Sequence, residues 1–268
     1  MPFRNNQKFI DIIRTLNLMT NLQLCLDAGD AASYAGGTKW LDVSGNGNDF
    51  WLGTDATAIA DPTFTGTSGD LKDSTYFLND GSSYFTTVAA NPTWVKNISK
   101  DSSTHTLATW FYNFGLGSTQ DMAGTDAGAP TNFGWYFTIR NTNVIAFQAE
   151  NGVTGYNLDS TATVKVGWNF LAISVDEASS VGITHVNGVN ETQAYNYAAP
   201  SANDPTFAMN IGCLGNGTTR SDANSRMGAF MGWSRALSAA ELMSLWQYPY
   251  GIASDTPSIQ RINRMVGY

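Results

Sequence analysis

Carboxylates, imidazoles and thiols are the side chains with which this sequence could do covalent chemistry, and they are few and unfavourably spaced. Glutamate occurs only at positions 150, 177, 191 and 241. A retaining glycosidase needs two carboxyl groups about 5 Å apart, which a strand supplies from residues two or four apart on one face. No glutamate here has an acidic neighbour at that spacing, and the adjacent Asp176 and Glu177 would point to opposite faces of a strand. The two histidines, His105 and His185, stand in strand-like segments. No Gly-x-Ser-x-Gly elbow, phosphate loop, dinucleotide fingerprint or Cys/His zinc spacing accompanies them. These residues do not point to catalysis.

Non-covalent chemistry is better represented. Asp42, Ser44 and Asn46, followed by Gly47, match the start of an acidic calcium loop. Its twelfth position is Gly53 rather than glutamate, however, and a turn held by side-chain bonds to its own amides explains the same residues. Calcium is the one cofactor the sequence suggests. Sugar recognition needs aromatic faces beside hydrogen-bonding groups, and Trp51, Trp94, Tyr156, Tyr195 and Tyr197 lie next to polar stretches. Trp40, Trp110, Trp168 and Trp233 read instead as core. Cys25 and Cys213 fit no disulfide framework; two buried thiols are the favoured reading, with a bridge compatible with their placing in strands.

These residues must be positioned by a chain of 268 residues that is only 13% charged, 12% aromatic and carries 26 glycines. Such a mix suits short strands and tight turns. The net charge of −8, with no basic cluster, argues against nucleic acid as a partner. No stretch has the length and hydropathy of a secretory leader or a membrane span, so the expectation is a protein made in a reducing cytoplasm, without Sec export or membrane insertion.

Residues 1–20 form a unit of their own. Phe9, Ile12, Ile13 and Leu16 recur at helical spacing, and such a short helix must dock, either on its own domain or, as an arm, on a partner subunit. From Leu22 the period becomes that of a strand. Strands are expected at 74–78 and 83–88, joined through Asn79-Asp80-Gly81, and at 105–112, 134–140, 144–150, 169–175, 182–186, 207–211 and 227–233. Asn187-Gly188 marks a tight turn. Residues 53–73, 115–132 and 214–225 read as loops. Ser238 with Glu241 makes a capping box for a helix ended by Pro249, and residues 249–268 read as a second arm after a domain spanning 21–248.

The order of motifs resembles the LamG-like jelly rolls of the concanavalin A-like lectin/glucanase superfamily. Leu24-Cys-Leu-Asp-Ala-Gly29 and Trp40-Leu-Asp-Val-Ser-Gly-Asn-Gly-Asn48 are similar to that family's entry strand and turn. Phe77-Leu-Asn-Asp-Gly81 with Tyr84 resembles its F-D-G hairpin, with one extra Asn. Leu107-Ala-Thr-Trp110 and Val166-Gly-Trp168 resemble inner strands. Gly228-Ala-Phe-Met-Gly-Trp233, followed by Ser234-Arg-Ala-Leu-Ser-Ala-Ala-Glu241, resembles the closing strand and helix. The resemblance implies an all-β, two-sheet antiparallel jelly-roll sandwich with a short N-terminal helix and one C-terminal helix. Tyr248-Pro-Tyr-Gly251 is similar to the end of this helix in LamG-like proteins of tailed bacteriophages. The expected role is therefore a non-enzymatic virion protein of a head or tail, in contact with other virion subunits or its own copies and anchored through Phe9, Ile12, Ile13 and Leu16. A lectin-like module for a host-surface glycan is the alternative, and a glycoside hydrolase the third.

Overall fold

The computed structural model describes residues 6–54, 60–128, 131–195 and 202–248. The chain begins with α1 (Phe9–Thr15), β1 (Leu22–Asp27), β2 (Lys39–Trp40), β3 (Phe50–Leu52), β4 (Thr63–Thr65), β5 (Tyr76–Leu78) and β6 (Phe85–Thr87). It continues through α2 (Thr93–Asn97), β7 (Thr104–Asn113), β8 (Gln120–Gly124), β9 (Phe133–Ile139), β10 (Val144–Asn151) and β11 (Gly155–Thr163). Last come β12 (Gly167–Asp176), β13 (Val181–Val186), β14 (Val189–Ala194), β15 (Asn210–Ile211), β16 (Arg226–Trp233) and α3 (Ala239–Gln247).

Two eight-stranded sheets result. The first runs β14-β13-β12-β7-β16-β5-β4, with β1 on the distal half of β16; the second runs β11-β10-β9-β8-β15-β6-β3-β2. Between them lies a core of alternate inward residues, including Leu107, Phe111, Leu171 and Phe230 from the first sheet and Trp40, Phe85, Trp135 and Phe147 from the second. A second apolar layer covers the outer face of the first sheet. There α1 and α3 pack on Trp110, Phe170 and Trp233. No such layer covers the outer face of the second sheet among the described residues. That asymmetry leaves one polar sheet face available.

The helices form for local reasons. Ser238 accepts the Glu241 amide while Glu241 accepts the Ser238 amide, the reciprocal cap expected from sequence. The Asp27 carboxylate takes the Phe9 amide at 3.0 Å, and Lys8 pairs with Asp30 at 2.8 Å, tying α1 to the first strand. Phe9, Ile12 and Ile13 are 2%, 1% and 0% exposed, and Leu16 packs beside them. The stripe is therefore consumed by its own domain, which corrects its expected use as an anchor on another subunit. The suggested arm at 249–268 lies outside the described residues.

Several strand expectations hold. The 134–140 and 144–150 segments pair as a hairpin, and Asn187 (φ 50°) with Gly188 (φ 90°) turns β13 into β14. Others need correction. Asn79-Asp80-Gly81 does not close a hairpin, because β5 belongs to the first sheet and β6 to the second. The extra Asn79 is fully buried and clamps that crossing to Ser225 through both its backbone and its side chain. Two of the expected loops contain strands, β4 and β8. Cys25 and Cys213 are both buried, and no disulfide joins them.

Candidate functional site on the open sheet face

Alternation along β9, β10 and β11 sends Trp135, Phe137, Phe147, Ala149 and Leu158 inward, and an irregularity in β8 adds both Met122 and Ala123. The register then brings the intervening side chains together on the open face. Tyr136 stands opposite Gly124 on one side and Gln148 on the other, and Gln148 stands opposite Asn157. Asp121 faces Thr138, and Glu150 lies between Gly134 and Gly155. The glycines are needed here. A Cβ at 155 would sit 2.4 Å from the Glu150 carboxylate, and one at 124 would sit 3.0 Å from Tyr136.

A chain of hydrogen bonds fixes these groups. The Tyr136 hydroxyl donates to Gln148 Oε1, and Gln148 Nε2 donates to the Glu150 carboxylate. Arg140 reaches Asp159 through Nε (3.2 Å) and Nη2 (3.0 Å), and Asn157 through Nη2 (3.1 Å). Beside this network runs a groove of about 230 Å³, lined by Asp121 and Tyr136 from β8 and β9, by Arg140 and Asn141 from the turn after β9, and by Leu214 and Thr219 from the loop after β15. It is smaller than the roughly 300–1,000 Å³ of an enclosed ligand pocket. Its size suits part of a surface-bound chain.

Electrostatically the face is acidic. Asp121 is 2% exposed, and its Oδ2 has no hydrogen-bond partner. Burial pushes this carboxyl up to about 6, against the pull of the neighbouring Thr138 hydroxyl. Burial also raises Glu150, opposed by the Gln148 amide and reinforced by the charge of Asp126. The Tyr136 phenol is raised by burial first, and then by Glu150, Asp126 and Asp121 around it. The arrangement offers a hydroxyl, a guanidinium, side-chain amides and an incompletely satisfied carboxylate. These are the groups that bind polyols.

Among the described residues of this face, Asp121 and Glu150 do not form a hydrolytic pair. Asp121 and Glu150 are separated by two strand spacings and four residues of register, about 17 Å between Cα atoms, against the roughly 5–9.5 Å between carboxyl groups that glycosidases use. Asp126 and Glu150 are closer but fully buried, and neither lines the groove.

The residues expected to bind sugar do not converge. Trp94 is 7% exposed and packs in the core over Gly232, where a Cβ would lie 2.8 Å from its ring. Tyr195 is 1% exposed, 4.4 Å from the Tyr156 ring, and the Tyr156 hydroxyl donates to the Ala194 carbonyl at 2.5 Å. All three are structural, because their rings fill inter-sheet space. Trp51 does lie on the open face, in the same cross-strand row as Tyr136, but with the Lys39 ammonium 4.4 Å from its ring centre and the 214–219 loop between the two. Tyr197 is outside the described residues. The groove residues escaped sequence reasoning because single polar positions on strands look like an ordinary solvated face; only register joins them.

The residues expected to hold calcium are engaged in hydrogen bonds. Asp42 Oδ1 accepts the Cys25 and Ser44 amides, and Oδ2 accepts the Ser44 hydroxyl and Asn48 amide. Asn46 Nδ2 donates to the Leu22 carbonyl at 2.9 Å. The motif staples the 42–49 turn to β1.

Comparison with known proteins places this geometry. No curated protein sequence matches the chain. Among solved structures, it is similar to the binding domain of botulinum neurotoxin serotype D (TM-score 0.59, 13% identity), covering 86% of this chain and 51% of that one. It is also similar to the binding domain of Paraclostridial Mosquitocidal Protein 1 (0.58, 15%, 86% and 52%) and to that of botulinum neurotoxin serotype G (0.56, 17%, 85% and 51%). The chain thus spans about half the length of the solved structures it matches, and at these identities the likeness is one of fold. The Laminin_G_3 family model, described as the Concanavalin A-like lectin/glucanases superfamily, matches residues 79–243, and with the two-sheet jelly roll found here the chain belongs to that family.

Proposed function

We propose that the chain is a non-enzymatic glycan-binding module that holds its ligand in the groove on the open face of β8 and β9. The observation that carries this reading is the groove-lining Asp121, buried yet with one carboxylate oxygen unpartnered, beside Tyr136, Arg140 and Asn141. A buried polar atom without a partner is costly, and an incoming sugar hydroxyl or amine would relieve that cost. The relatives described above as binding domains are consistent with a recognition role.

The test is a binding screen against a panel of soluble oligosaccharides, repeated with Thr219→Trp. Thr219 is exposed at the groove, so the indole would obstruct it without disturbing the core. A ligand bound by the wild type and lost in the variant supports the proposal; binding unaffected by the substitution refutes the location.

We further place this module on a bacteriophage virion, contacting virion subunits and a host-surface glycan. The support is the resemblance of Tyr248-Pro-Tyr-Gly251 to phage-borne relatives. Quantitative proteomics of purified particles decides it: a stoichiometric copy number is expected, and absence from particles would remove the virion setting.

A further inference from the structure

The charge balance around the groove narrows the ligand class, on the premise that the groove is the glycan site. Among its lining residues Arg140 is the only cation, and its guanidinium is already held by Asp159 and Asn157. Arg220, the next basic residue along the loop, turns away: its guanidinium lies over the Tyr84 ring and its Nε donates to the Gly217 carbonyl. Outside this Arg140–Asp159 pair stand Asp121 in the groove lining and Asp126 and Glu150 beyond Tyr136. Asp121 is more than nine-tenths buried, occupies an outward register position opposite Thr138, and keeps one oxygen unpartnered. Its charge has no counter-ion in the groove.

We infer that the groove selects a sugar carrying a free amine, a hexosamine unit, and rejects sugars bearing carboxylates such as uronic or sialic acids. The ammonium would donate to the unpartnered Asp121 oxygen and supply the missing positive charge, and charge-assisted bonds of this kind are roughly twice as strong as neutral ones. A sugar carboxylate would instead meet Asp121, with no unpaired cation in the groove lining to receive it. Like charges in a partly desolvated site repel strongly. The neutral rim donors, Asn141 and Thr219, serve the ring hydroxyls in either case.

The experiment is calorimetric titration at pH 6.5 and moderate salt with three tetrasaccharides: glucosamine, N-acetylglucosamine and galacturonate oligomers. The first two differ only at nitrogen. The glucosamine oligomer is expected to bind at least about tenfold more tightly than its acetylated counterpart, a difference of about 1.4 kcal/mol, with no uptake of the uronate. Asp121→Asn should erase that preference, whereas Asp11→Asn, an exposed carboxylate on α1, should keep it and so exclude general attraction of a polycation to an acidic protein. Thr219→Trp, which leaves the buried carboxyl untouched, should lower both affinities. Equal binding of the amine and acetylated sugars, tighter binding of the uronate, or an Asp121→Asn protein that folds and keeps the preference would overturn the inference while leaving a glycan site in place. Binding of none of the three would overturn the glycan reading itself.

Discussion

Replacing Ile13 by alanine tests whether the N-terminal helix belongs to this domain or to a partner. Ile13 is completely buried, and its layer contains Phe9, Trp110, Trp233 and Leu242, all within 2% of full burial. Two of these are indoles seated in neighbouring strands, so the site cannot easily collapse onto a smaller side chain. The cost should fall in the upper part of the range for such truncations, about 3–5 kcal/mol. For a domain of this size each kcal/mol moves the midpoint by about 2–4 °C, so the melting temperature should drop by roughly 6–20 °C. Arg14→Ala is the control. Arg14 pairs only with Asp11 and both side chains are more than half exposed, so its loss should cost under about 0.5 kcal/mol. Thermal unfolding followed by circular dichroism reads both. An Ile13→Ala protein melting within a degree or two of wild type would refute the intramolecular docking and return the stripe to a partner.

Two further outcomes follow from the same structure. Asp42→Ala should lower stability by about 1–3 kcal/mol because four donors lose their acceptor, and millimolar calcium should leave the wild-type melting temperature unchanged; a calcium-dependent rise would contradict the turn-staple account. Burial holds His105 down to about 3 and His185 to about 4, the latter despite its bond with Asn190. His185 Nε2 also accepts the Gly188 amide at 2.9 Å. The unfolded chain therefore takes up protons below about pH 6.5 that the fold refuses, so stability is full above that pH and falls toward pH 4 by about 1.4 kcal/mol per unit for each such group. Asp121, raised toward 6, acts with the opposite sign between 3.8 and 6. Urea titrations should show less acid loss for His185→Gln than for wild type, and an unchanged slope would count against this assignment.

The parts of the fold legible in sequence are those specified locally. The Ser238–Glu241 box, the Asn187-Gly188 turn and the apolar run at 170–173 each carry their instruction within a few residues. What was not legible depends on partners distant in the chain. Gln120–Gly124 reads as loop because it is short and polar, yet it is a central strand held between β9 and β15. Asn79-Asp80-Gly81 has hairpin chemistry, but Ser225, far along the chain, diverts it between sheets. The candidate site is the extreme case: Tyr136, Gln148 and Asn157 become neighbours only through two strand registers, and a slip of one residue would turn all of them inward. Aromatic residues next to polar stretches proved a poor guide, since Trp94 and Tyr195 are drawn into the core by their size.

The proposed ligand site on the open face of β8 and β9 can be read by amide chemical-shift mapping of the labelled protein during titration with the glucosamine tetrasaccharide. Perturbations are expected at Thr119, Asp121, Tyr136, Arg140 and Thr219, as is their absence in Thr219→Trp. Perturbations confined to Lys39 and Trp51, or to the helical layer on the other sheet, would contradict it.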